Sequence, residues 1–91
     1  MFKLKGTDEE RFQKAQQFKE ALMSLPANIE CLLGMEVGVN CNPEEKWDIV
    51  LTALVDNMEA LSEYARHPLH LEAASIIKDC KEERSCVDYF L

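Results

Sequence analysis

The hydrophobic pattern changes period several times along the chain. Phe2-Lys3-Leu4-Lys5 alternates apolar and polar at the two-residue period of a strand, and Gly6 ends it. Thr7 followed by Glu10 is a capping-box pattern, with acids lying over the positive end of a helix. Phe12, Ala15, Phe18, Leu22 and Leu25 then recur every three or four residues as one apolar stripe, which Pro26 closes. After a connector around Ile29 and Leu32, alternation returns. Leu33, Met35, Val37 and Val39 share one face of a second strand, and Gly34, Glu36, Gly38 and Asn40 share the other. A loop turning at Asn42-Pro43 leads to a third strand, Trp47 to Val55. Its inward set is Ile49, Leu51, Ala53 and Val55, yet Val50 and Leu54 make the opposite face apolar too, which predicts cover on both sides.

Asp56 with Glu59 repeats the capping-box pattern and opens a helix carrying Met58, Leu61 and Tyr64 or Ala65 on one side. Pro68 cannot continue that helix but suits the first turn of a new one, running from about Pro68 to Cys80. The last stretch, residues 85–91, alternates as a final strand, with Cys86, Asp88 and Phe90 against Val87, Tyr89 and Leu91. The order strand, helix, strand, strand, broken helix, strand is an α+β arrangement: a ferredoxin-like βαββαβ subunit whose antiparallel sheet carries its helices on one face. The other face would be bare in a monomer. Val50, Leu54, Val87, Tyr89 and Leu91 on that face predict a homodimer in which two sheets pack together.

Composition narrows the function classes. A chain of 91 residues makes one domain, residues 1–91, and 47% apolar with 30% charged residues is ordinary for a globular protein. The net charge of −7 comes without any basic cluster, so no nucleic-acid partner is expected. No apolar run approaches a membrane span and the N-terminus lacks a leader pattern, so no membrane partner is expected and the expected compartment is the cytoplasm. Cys31, Cys41, Cys80 and Cys86 form no CxxC pair and read as reduced thiols, with a Cys80–Cys86 disulfide as the alternative.

The stretch Glu63 to Ala74, EYARHPLHLEAA, concentrates the candidate chemistry. His67 and His70 lie three apart and could share a helix face as metal ligands, but no recognised spacing supplies further ligands, so no metal is expected. Equally, His67 can bond free backbone groups at a helix boundary while His70 lines a core or cavity.

Taken together, FKLKGTDEE, MEVGVN, DNMEALSEYARHPLHLEAA and the terminal VDYFL resemble the Dabb family, the stress-responsive A/B barrel domain, over nearly the whole chain. The resemblance implies a subunit that dimerises through its sheets into a dimeric α+β barrel, with a cavity between helices and sheet and no cofactor. Most members have no assigned reaction. One plant branch, the olivetolic acid cyclase type, closes a polyketide by aldol condensation with a tyrosine and a histidine of this element. Matched motif to motif, these fall on Tyr64 and His70, and the cavity wall falls on Ala15, Phe18, Leu51, Ala53, Leu61, Cys86 and Asp88. His70 would then be the base, Tyr64 a hydrogen-bond donor to the developing enolate, and Asp88 the group that orients the imidazole. In the family the first strand begins several residues earlier and often carries an inward histidine. The first strand here is shortened, which predicts unpaired backbone on both neighbours, filled by an upstream or a partner segment.

The resulting expectation is a small apolar pocket binding a small apolar or aromatic ligand, with no reaction assigned. A cofactor-free polyketide-cyclase-like lyase and a purely structural or stress-protective dimer are the alternatives.

Overall fold

A computed structural model describes residues 1–90 of the chain. The order is β1 (Phe2–Leu4), α1 (Asp8–Met23), a 3-10 turn (Leu25–Ala27), β2 (Gly34–Val39), β3 (Ile49–Leu54), α2 (Met58–Arg66), α3 (Pro68–Ser75) and β4 (Lys81–Arg84). The four strands form one antiparallel sheet in the order β2-β3-β1-β4. This is the ferredoxin-like α+β fold expected from the element order.

The capping box of α1 forms as predicted, with the Glu10 N–H donating to Thr7 Oγ1 at 3.2 Å and the Thr7 N–H to Glu10 Oε1 at 3.3 Å. Ala15, Phe18, Leu22 and Leu25 are buried, but Phe12 at the head of the same stripe is 57% exposed. The inward faces of β2 and β3 run as the alternation requires: Val37 and Ile49 are buried, and Met35, Val39, Leu51, Ala53 and Val55 pack against the same core. Leu33 is an exception and lies exposed ahead of β2. On the outer face Val50 and Leu54 are 49% and 46% exposed. The glycines of β2 lie beside them. A Cβ on Gly38 would meet Val50 Cγ1 at 3.2 Å and one on Gly34 would meet Leu54 Cβ at 3.7 Å, so the outer face is flat there.

Three boundaries differ from the sequence pattern. The cap of α2 is Asn57, whose Oδ1 accepts from the Ala60 N–H at 2.8 Å; Asp56 sits one residue too early. The second half of the broken helix ends at Ser75, and turns carry the chain on to Cys80. The last strand is Lys81–Arg84 rather than residues 85–91: residues 85–90 belong to no strand, and Leu91 lies outside the described residues. β4 is an edge strand exposed on both faces, so its sequence needs no apolar period. Its acids are held by Lys3–Glu82 at 3.7 Å and Lys46–Glu83 at 2.8 Å.

β1 pairs only sparsely with β3 by backbone. It meets β3 at one register position, Phe2 with Ile49, whereas β2 meets β3 at six. The Asp48 side chain supplies part of the deficit by accepting from the Leu4 N–H at 2.7 Å, and it is held by Arg11 Nη1 at 3.7 Å. Leu4 is 1% exposed, so its N–H has no recourse to water. Asp48→Ala is expected to destabilise the protein by about 2 kcal/mol through this orphaned donor. Asp48→Asn keeps an acceptor oxygen and should lose clearly less; urea denaturation of both variants is the check.

Candidate functional site

His67 and Pro68 divide what would otherwise be one helix. The residue before a proline is disfavoured in the α region, and His67 adopts φ −63°, ψ 134°, which ends α2 and caps α3. Its Nδ1 accepts from the Leu69 N–H at 3.1 Å, so Nδ1 carries no proton in this arrangement. His67 is helix punctuation.

His70 has the opposite tautomer. Its Nδ1 lies 3.1 Å from the carbonyl oxygen of Ala65. A carbonyl only accepts, so Nδ1 donates and the neutral ring presents Nε2 as a free lone pair. Ala65 is in the last turn of α2, where carbonyls lack intrahelical partners, so the break itself provides the group that orients the imidazole.

The bond also sets the ring against Tyr64. The two ring centroids are 4.5 Å apart at 55°. Tyr64 is 5% exposed, and its hydroxyl finds no hydrogen-bond partner among the described residues. Burial pushes its pKa up to about 12, so at neutral pH it is a phenol that donates, not a base.

Ala15 and Phe18 are fully packed in the core that includes Tyr64, while Leu51, Ala53 and Leu61 are half-buried at the margin of the same cluster. Cys86 and Asp88 are not brought to the histidine. They lie exposed on the segment after β4, with Cys86 Sγ 3.5 Å from Asp88 Oδ1, and the orienting role expected of Asp88 is filled by Ala65. Two surface hollows lie elsewhere. One of about 490 Å³ is lined by Ile29, Glu30, Cys31, Asp56, Glu63 and His67. Within it, desolvation first and then the neighbouring Glu63 push the Cys31 thiol up, which disfavours the nucleophilic thiolate. All four cysteines are free thiols, and among the described residues no group of three or more His, Cys, Asp or Glu could hold a metal ion. No helix among these residues is long and apolar enough to cross a membrane.

The model of the stress responsive A/B barrel domain matches residues 1–91. The chain belongs to the Dabb family. A dimeric protein of unknown function and ferredoxin-like fold from Bacteroides fragilis is similar to this Dabb chain at 42% identity and a TM-score of 0.95, over 99% of this chain and 89% of that one. A dimeric ferredoxin-like protein of unknown function from a Jannaschia species shares the fold at 20% identity and a TM-score of 0.73, over 90% of this chain and 81% of that one. No curated protein matches the chain.

Sequence reasoning placed Tyr64 and His70 in one element but missed Ala65, whose part is played by its backbone. The buried phenol has a measurable signature. Its folded pKa lies above its ordinary value of 10, so the stabilisation of the neutral form is complete below pH 10 and is lost as pH rises through the interval up to about 12. Tyr64→Phe is expected to flatten that alkaline loss in a stability-versus-pH series. Because the hydroxyl has no partner to leave behind, the same change should leave stability at pH 7 unchanged or slightly raised. A large loss at pH 7 would mean that the hydroxyl is bonded.

Proposed function

We propose that this Dabb protein is a cytoplasmic homodimer that binds a small apolar or aromatic ligand bearing an acceptor oxygen, with Tyr64 as the donor. The observation that carries this reading is the Tyr64 hydroxyl, buried and unpartnered beside the oriented ring of His70. Leaving such a donor unmade costs about 1–3 kcal/mol, which a ligand oxygen recovers. The half-buried Leu51, Ala53 and Leu61 offer the apolar surface for the rest of the ligand, with Ala15 and Phe18 as the floor of the same cluster. Cys86 and Asp88 join this wall only if the terminal segment folds back along the sheet.

A fluorine-NMR screen of small aromatic ketones, beginning with a fluoroacetophenone, tests it. Tyr64→Phe should weaken any hit about tenfold, the worth of one hydrogen bond. Equal affinity for the variant would sink the role of the hydroxyl.

The free Nε2 lone pair favours a second reading, that of a polyketide-cyclase-like lyase. His70 would take the proton α to the carbonyl while Tyr64 steadies the enolate oxygen. Exchange of the methyl protons of acetophenone into deuterium oxide reports that step directly. Wild type should exceed His70→Gln by at least about a hundredfold, and parity would leave binding alone. Without any hit, the third alternative stands: a structural or stress-protective dimer.

The dimer reading rests on the flat outer face carrying Val50 and Leu54, and on the exposed Val87, Tyr89 and Phe90 that follow β4. Both related structures are dimeric. Val50→Lys is expected to shift sedimentation from dimer towards monomer, whereas an unchanged dimer would place the interface elsewhere.

A further inference from the structure

His67 and His70 answer a proton in opposite ways. A neutral imidazole has one bare ring nitrogen, and the next proton goes there. In His70 the bare nitrogen is Nε2, so protonation leaves the bond from Nδ1–H to the Ala65 carbonyl in place at 3.1 Å. In His67 it is Nδ1, whose lone pair accepts from the Leu69 N–H at 3.1 Å. A proton on His67 therefore removes the acceptor from the bond that caps α3. That bond meets the first donor of the helix: Pro68 has no N–H, and the Leu71 N–H is met by the His67 carbonyl at 3.0 Å.

The surroundings offer the protonated ring another place. His67 is half-buried on the wall of the hollow of about 490 Å³. The ionisable groups that share this hollow are Glu30 and Cys31 from the connector ahead of β2, Asp56 from the loop ahead of α2, and Glu63, one helical turn back on α2. No lysine or arginine is among its lining residues. Desolvation first and then Glu63 keep the Cys31 thiol protonated, so the fixed charges of the hollow are the three carboxylates. Arg66, the neighbour of His67 on α2, turns its Nε to the Ser62 carbonyl at 3.2 Å. At the start of α3, by contrast, a cation faces the positive end of the helix. Both ends of the choice favour the same movement.

We infer that His67 is a proton-operated cap. Neutral, it holds the first turn of α3 through Nδ1; protonated, its ring leaves the Leu69 N–H and turns Nδ1–H towards the carboxylates of the hollow. His70 sits in the turn that this cap holds, so acid loosens the helix that carries its ring while the bond from that ring to Ala65 persists. One histidine is the moving part and the other the fixed one. The cap works in this way whether or not Tyr64 and His70 meet a ligand.

Nitrogen NMR of the imidazole rings and the exchange protection of the Leu69 amide, followed together from about pH 8 to about pH 5, decide it. At the upper end His67 should carry its proton on Nε2 and His70 on Nδ1. As His67 takes its second proton, Leu69 protection, corrected for the intrinsic pH dependence of exchange, should fall about fivefold, the loss expected of one cap bond. His67→Asn supplies a capping oxygen with no proton to gain, and Leu69 protection in that variant should stay level over the same range. A His67 ring already protonated on Nδ1 at about pH 8 would overturn the inference, and that result needs no variant. So would level Leu69 protection in the wild type through the His67 titration. An equal fall in His67→Asn would overturn it as well, and would assign the acid response to His70 or to the carboxylates.

Discussion

The ring of Pro68 excludes its predecessor from the helical region, and the candidate site is built on that exclusion. Because His67 is forced into an extended conformation, α2 ends with free carbonyls and α3 begins at once with free N–H groups. Each histidine answers one of those deficits. His67 accepts from the start of α3, and His70 donates to the end of α2. Identical side chains three residues apart are therefore held in opposite tautomers by backbone alone. The second of these bonds turns the His70 ring onto Tyr64, so a helix break, a tautomer and an aromatic contact are one event.

The sheet shows a comparable economy. At the carboxyl end of β1 the Asp48 carboxylate takes the place of a backbone acceptor for the Leu4 N–H. Arg11 ties that carboxylate to α1, pairing also with Asp8. The rest of that junction is apolar: Phe2 meets Phe18 edge to face with ring centroids 5.4 Å apart, and Leu4 and Ile49 are buried in the same core.

Much of this was legible in the pattern of residues. The half-buried strands β2 and β3 announced themselves because each has one inward face, and a period of two survives wherever burial is one-sided. The core stripe of α1 was visible for the same reason, although Phe12 at its head stays exposed. What the pattern misread was the last strand. Lys81–Arg84 lies at an edge with both faces in water and carries no period, while residues 85–90 keep the alternation of a strand without the pairing. Asp56 and Asn57 are both good caps, and only the direction of the Asn57 side chain decides between them. The convergence of Tyr64 and His70 was beyond reach of spacing, because residues six apart across a break meet only if the break has the right angle. Ala65 was invisible in principle, since every residue has a carbonyl.

β4 also bears on what the protein does at high concentration. It forms one border of the sheet, and a sheet border is a template on which chains can stack without limit. Here the border reads Lys81, Glu82, Glu83, Arg84, with Glu82 and Glu83 already engaged by cations of the same molecule. A second chain docking there would have to strip water from four charges and displace two ion pairs. Growth of the sheet by strand addition is blocked at that side by the charges of the strand itself.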